Sequence, residues 1–302
     1  MEHENSSIKA ILYALAANFG IAIAKGIAAF ITGSGSMLAE TIHSIADCMN
    51  QLLLLIGLKR SKRLPTDEHP LGYGKVTYFW SFIVAMLLFS IGGLFSIYEG
   101  LHKLQSTEQI NSVWIALVVL GVSIILESLS LTGAIKEINK LRKDESFSRW
   151  LKETRNSELI VVLGEDIAAV MGLCLAFIFV SLSVVLHNPV YDAIGSIIIG
   201  VILIIISIFL IIRMKTLLIG KSADPDIVLS INDIIKKNSN INEVYNLITM
   251  QFGPYIMLSG KIRLKSNLTI EEACLVINAI EQAVKMGHPE IKWTFIEPDV
   301  KD

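Results

Sequence analysis

His43 and Asp47 stand one helical turn apart inside Thr32–Gln51, TGSGSMLAETIHSIADCMNQ, a run that with its continuation to Leu58 is long and apolar enough to cross a bilayer. Glu40 and Asn50 extend the set, since spacings of three, four and three return to one stripe of an α-helix. An ionisable residue at membrane depth costs roughly 2.5–3.5 kcal/mol on insertion scales, so a His and an Asp on one face of such a helix point to function. A hydrogen-bonded pair that only stabilises a helix bundle is the alternative. A carboxylate in hydrocarbon needs a partner, and a cation supplies one most simply.

A second helix must complete the site. The one comparable feature is Gly164–Glu165–Asp166 in LIVVLGEDIAAVMG, two adjacent carboxylates in an otherwise apolar segment. Adjacent helical residues diverge by about 100°, so at most one of the two faces the His43 helix squarely. Asp166 is expected to do so, because Val162 and Ala169 continue its stripe with side chains of modest size; Glu165 is expected at the edge. A His with two or three carboxylates is a borderline-to-hard donor set suited to Zn2+, Mn2+, Fe2+ or Co2+ rather than Cu+. The same groups bind protons when no metal is present, so metal binding releases H+. Reprotonation from the opposite side would turn the site into an antiporter, with His43 as its pH-responsive member. Against this stands a structural role for Glu165 and Asp166 as partners of Lys25 or another polar group of the bundle.

Such residues need a membrane bundle to carry them, and the composition agrees. The chain has 302 residues, 53% hydrophobic and only 18% charged, too apolar for an ordinary soluble domain. Six segments reach spanning length: about Ile8–Ile31, Met37–Leu58, Thr77–Leu101, Val113–Ile135, Glu158–Leu186 and Val190–Ile212. The connections Thr32–Ser36, Leu101–Ser112 and His187–Pro189 carry almost no basic residues. The alternate ones hold Lys59, Arg60, Lys62, Arg63 and Lys75, and then Lys136, Lys140, Arg142, Lys143, Arg149, Lys152 and Arg155. The basic loops, both termini and everything after Arg213 are therefore expected to be cytoplasmic. The opening MEHENSSIKA has no basic stretch ahead of the apolar run, so the first segment is expected to be retained, and a bacterial-type plasma membrane suits the chain best. Cys48, Cys174 and Cys274 lie in no paired motif and suggest neither a disulfide framework nor a thiolate zinc site. No prosthetic group and no nucleic-acid partner is expected.

After Lys215 the composition changes. Asp224–Lys237 and Thr269–Met286 read as amphipathic helices, and Ile241–Phe252, Tyr255–Lys265 and Ile291–Glu297 as strands. The expected fold is thus membrane α-helical, with six transmembrane helices over residues 1–215, followed by a small cytoplasmic α+β ferredoxin-like αββαβ domain over 216–302. The charged Lys136–Arg155 stretch reads as a solvated helix end or connector.

The run TGSGSMLAETIHSIADCMNQ, the sequence HPLGYGK at His69–Lys75, the six spans and the αββαβ tail together resemble the cation diffusion facilitator family of divalent-metal transporters, over nearly the whole chain. In that family, pairs of residues four apart on the second and fifth spans form a tetrahedral site for Zn2+ or a related ion, exchanged for H+, in a homodimer. The resemblance implies that His43, Asp47 and Asp166 are metal ligands. It also implies a departure, because Val162 stands four residues before Asp166 where zinc-exporting members usually offer His or Asp. The Leu163–Asp166 sequence is similar to a branch with a Glu-Asp pair in the fifth span, which makes Glu165 a contributor in place of the missing ligand; water is the alternative.

Other polar residues have simpler expectations. Asn18 and Lys25 share a face and suit helix packing or carboxylate pairing. Glu40 is either an exit-path carboxylate or a wet helix end, and Glu99 and Glu127 are expected as structural partners. Asp192 is expected to favour the N-terminus of the sixth span through the helix dipole. His69, beside Asp67 and Glu68, could load metal but reads more simply as a solvated turn residue. The tail holds only His288 and Cys274 as soft ligands, so its expected use is dimer contact. A metal sensor or scaffold that binds without transport remains open; a hydrolytic membrane enzyme is disfavoured by the lack of HExxH, GxSxG or a base beside the ligands.

Overall fold

The computed structural model describes the backbone of residues 2–32, 35–105, 113–142 and 145–301, and side chains from residue 15 onward except 17, 32 and 35–40. The chain forms two compact units, one of Met1–Lys59, Phe79–Phe147 and Ser157–Met214, the other of Arg60–Tyr78, Ser148–Asn156 and Lys215–Asp302. The side chain of Glu40 and the turn at residues 33–34 lie outside the described residues.

The first unit is helical. Its elements are α1 (Glu2–Thr32), α2 (Gly35–Ser61), α3 (Val76–Leu87), a π-helical segment (Leu88–Leu94), α4 (Phe95–Gln105), α5 (Val113–Leu141), α7 (Ser157–Val185) and α8 (Val190–Ile219); the short α6 (Phe147–Glu153) precedes α7. Among the described residues five stretches are long and apolar enough to cross a membrane: Thr41–Ser61, Val76–Gln105, Val113–Leu141, Ser157–Val185 and Val190–Ile219. Asn18–Ile31 is a shorter apolar helix, and the rest of the expected first span lies outside the residues with described side chains. Apolar side chains cover the outside as well as the inside, with Phe30, Trp114, Leu129 and Ile205 exposed, the pattern of a bundle whose solvent is lipid.

Small residues set the helix spacings. Ala28 and Ala29 of α1 meet Ala116 of α5, while Leu120 of α5 packs with Leu173 and Val180 of α7. Gly93, Gly100 and Gly200 let the Val76–Gln105 rod and α8 approach almost backbone to backbone. A β-carbon at Gly200 would stand 2.7 Å from the Gly93 carbonyl oxygen and 2.6 Å from Ile97. The π-helical segment LFSIGGL was not foreseeable from hydropathy, because an extra residue in one turn leaves an apolar run apolar. It brings Gly92 beside the site, where an added β-carbon would lie 3.8 Å from the His43 ring.

The second unit has the expected αββαβ order: α9 (Pro225–Lys236), β1 (Ile241–Phe252), β2 (Tyr255–Leu264), α10 (Ile270–Gly287) and β3 (Ile291–Pro298). The sheet order is β1-β2-β3. The pair β1 and β2 is antiparallel about a turn whose Gly253 takes φ +61°, and β3 joins β2 in parallel after the α10 crossover. Ile231 and Ile235 of α9, Ile256, Leu258 and Ile262 of β2, and Ile280 and Val284 of α10 form its core. Asp224 caps α9 by accepting from the Asp226 amide at 3.1 Å ahead of Pro225, and Thr269 and Glu272 close a reciprocal capping box on α10.

Two connectors belong to this unit. The expected solvated stretch before α7 contains α6, after which Arg155 donates to the Ala223 carbonyl at 2.8 Å and pairs with Asp224 at 3.3 Å. The HPLGYGK loop turns through Gly72 at φ +70°, sets the Lys75 ammonium 4.6 Å from the Phe252 ring centre, and is followed by Tyr78, whose hydroxyl donates to the Gly253 carbonyl at 3.2 Å. The motif thus grips the β1–β2 turn. His69 lies in a Thr66–His69 turn, its ring 4.5 Å from that of Tyr73.

Candidate metal site

Helix α2 projects His43, Asp47 and Asn50 along one side, as their spacing requires. His43 Nε2 and Asp47 Oδ2 are 3.7 Å apart, both largely shielded. One turn further along, Asn50 is buried at 1% exposure, and its Nδ2 donates to Glu165 Oε1 of α7 at 2.7 Å. Glu165, expected at the edge, is therefore the α7 carboxylate that reaches α2 directly. Asp166 instead accepts from Ser130 of α5 at 3.3 Å. The reason is that α7 packs along α5 as well as near α2, so the roughly 100° between neighbours sends each carboxylate to a different helix. The charges of Asp47, Asp166 and Glu127 nevertheless all fall within Coulombic reach of Glu165.

Above this polar layer the bundle holds a cavity of about 60 Å3, lined by Lys25, His43, Asp47, Glu99 and Glu127 among others. At 10–15 Å3 per water this is room for roughly four waters. Lys25 is 2% exposed and donates to Ser44 of α2 at 2.9 Å. Asn50, Glu165 and Asp166 do not line the cavity; Asp47 and Glu127 are common to the cavity and the carboxylate layer. Among the described residues, no three of His, Cys, Asp and Glu already converge on one point at metal-binding distance. The geometry is that of carboxylates drawn from three helices, the α7 pair met by an amide and a hydroxyl, with water space beside them.

The cation efflux transmembrane domain family matches residues 11–219, which takes in every one of these side chains. The chain belongs to the cation efflux family. It is 30% identical over 276 residues to the human protein named proton-coupled zinc antiporter SLC30A9, mitochondrial, covering 91% of this chain and 48% of that protein. It is 30% identical over 282 residues to metal tolerance protein C4 of Arabidopsis thaliana, covering 93% and 61%. The Bacillus subtilis manganese efflux system protein MneP is 25% identical over 307 residues, covering 98% and 96%. The chain spans about half the length of the SLC30A9 proteins it matches.

For a cation efflux chain, the membrane unit also holds polar groups whose partners sequence reasoning did not supply. Ser130 stands three residues after Glu127 on α5 and serves Asp166, a pairing that spacing along one helix cannot reveal. Asn50 was visible on the His43–Asp47 stripe, but its partner lies 115 positions away. Asp192 sits in the first turn of α8 as expected and additionally accepts from Lys103 of α4 at 3.0 Å, both side chains lining the far end of the cavity. Glu127 lines the same cavity and is 6% exposed.

Proposed function

We propose that this chain carries out proton-coupled efflux of a divalent transition-metal cation, with Zn2+ the first candidate and Mn2+, Fe2+ and Co2+ the others. The ligands in this reading are His43 and Asp47 of α2 and Asp166 and Glu165 of α7. The observation that carries it is the 2.7 Å hydrogen bond by which Asn50, on the His43–Asp47 side of α2, holds Glu165 of α7, with Asp166 next to it, in a chain of the cation efflux family. Buried carboxylates that share so small a volume repel one another when ionised, and a divalent cation or protons relieve that repulsion. Metal arriving displaces protons and protons arriving displace metal, which is the exchange an antiporter needs. The printed names of the human and Bacillus relatives, zinc antiporter and manganese efflux protein, support the metal and leave Zn2+ and Mn2+ as the pair to compare.

In the same reading the chain crosses the membrane six times, residues 1–215 form the transport domain, and residues 216–302 form a cytoplasmic domain that pairs two chains as a homodimer. Loop charge supports cytoplasmic termini, and the SLC30A9 relatives carry a mitochondrial name. The basic loop holding Lys75 and the Arg155 connector then lie on the cytoplasmic face with the C-terminal domain. A metal sensor that binds without transport is the second reading. It is favoured by Val162, which removes a side-chain donor from α7.

Purified full chain in proteoliposomes with an acidic interior and an entrapped metal dye separates these readings. Zn2+, Mn2+, Fe2+ and Co2+ are added outside in turn. Entry of at least one ion that collapses when the pH gradient is dissipated supports the antiporter. Saturable binding with no entry of any ion overturns it in favour of the sensor.

A further inference from the structure

We propose that the side-chain carbonyl of Asn50 is a metal ligand, supplying an oxygen donor to a set that lacks one at Val162. The inference deepens the proposed transport site and rests on that reading. Asn50 is buried at 1% exposure, and its two polar atoms have opposite fates. Nδ2 is 2.7 Å from Glu165 Oε1, while Oδ1 has no hydrogen-bond partner among the described residues. With Glu165 ionised, the form that binds a cation, this orientation is the one that chemistry allows: turning the amide over would set its oxygen against a carboxylate oxygen at that distance, both offering only lone pairs to each other.

A buried amide oxygen left without a donor is costly, and such atoms in native proteins call for an explanation. Water is one remedy, but Asn50 does not line the cavity that has room for it. A cation is the other. It would meet the amide oxygen and the carboxylates together, in a place where the charges of Asp47, Asp166 and Glu127 already act on Glu165. Asn50 follows Asp47 by three residues on α2, so both can face one ion. The N–H to Glu165 then becomes a positioning bond that holds the amide with its oxygen turned to the metal, as outer partners hold first ligands in metal sites generally. A neutral carbonyl added to carboxylates makes the donor set richer in oxygen, the character that admits Mn2+ beside Zn2+.

Equilibrium dialysis of the purified full chain with Zn2+ and with Mn2+ tests this, using the wild type, Asp47→Ala, Asn50→Leu and Asn50→Asp. Leucine matches the size of asparagine without its oxygen, whereas aspartate keeps an oxygen and loses the N–H. The expected result is that Asn50→Leu weakens binding about tenfold or more, the range seen when a metal site loses a supporting group, and that Asn50→Asp binds at least as tightly as the wild type. Wild-type affinity in Asn50→Leu overturns the inference. So does Asn50→Asp as weak as Asn50→Leu, since that result assigns Asn50 only the N–H donated to Glu165. Should leucine disturb the fold, as judged by gel filtration, Asn50→Ala takes its place. Loss of binding in Asp47→Ala with none in Asn50→Leu removes this inference and leaves the site standing. Unchanged binding in Asp47→Ala, or no binding by the wild type, removes both.

Discussion

The two units treat their charged groups in opposite ways. In the C-terminal unit, acids find donors close by in sequence or on the adjoining strand: Glu272 bonds to Thr269 three residues away, and Asp299 accepts from Lys261 at 2.9 Å beside the β2–β3 pairing. In the membrane unit, Asp47, Glu127, Glu165 and Asp166 come from α2, α5 and α7, and the donors that reach the α7 pair are an amide and a hydroxyl. Local pairing makes a charge part of the scaffold. Carboxylates gathered from several helices, with the α7 pair met by neutral donors and an amide oxygen left unfilled beside them, keep capacity for a further cation, and that capacity is what a carrier requires.

The largest expected break in this comparison is Asp47→Ala. It removes a proposed ligand that stands in both the cavity wall and the carboxylate layer, and metal-driven proton flux in proteoliposomes should fall to background while the purified protein still elutes as the wild type does. Next is Gly200→Leu, which forces a side chain against the Gly93 carbonyl. Overpacking of this kind costs about 1–3 kcal/mol or more, and the bundle should show a lower midpoint of thermal unfolding in detergent. A loss confined to the C-terminal unit is expected from Arg155→Met, which deletes charge-assisted bonds to Ala223 and Asp224 worth about 1.5–3 kcal/mol; hydrogen exchange should rise first at the start of α9.

The smallest effect sharpens the contrast through pH. The Thr269 backbone amide, and then its hydroxyl, hold the Glu272 carboxyl below its ordinary range, and the Lys261 ammonium does the same for Asp299. A carboxyl lowered in the folded state contributes stability that is fully present above its unfolded pKa and is lost as pH falls through the folded value. Protection of the α10 amides, taken relative to the intrinsic exchange rate at each pH, should therefore fall as the pH is taken down through and below the ordinary carboxylate range. Glu272→Gln should flatten that dependence. An equal acid response in the variant would mean the capping box contributes nothing to it.

The C-terminal fold was legible almost residue by residue because its signals are local. Alternation marked β1 and β2, Asp224–Pro225 marked the start of α9, and Thr269 with Glu272 marked that of α10. Five of the six expected spans in the membrane unit were equally plain from apolar length among the described residues, and the His43–Asp47 stripe from its spacing. What hydropathy could not convey is rotation and pairing between helices. It left the order of Glu165 and Asp166 reversed with respect to α2, gave no sign of Ser130 beneath Asp166, and hid the π-helical segment at Gly92 and Gly93. Each depends on which faces of distant segments meet, a quantity that a single sequence does not encode in any local pattern.

The most direct test of the central claim is the number of protons released when the metal binds. Zn2+ is titrated into weakly buffered, purified full chain while a pH indicator follows the solution, for the wild type, Asp47→Ala and Asp166→Asn. If buried carboxylates exchange protons for the cation, the wild type acidifies the solution in proportion to the metal bound, and both variants lose that acidification together with binding. Tight binding with no proton release, or a release that persists unchanged in both variants, would contradict the account.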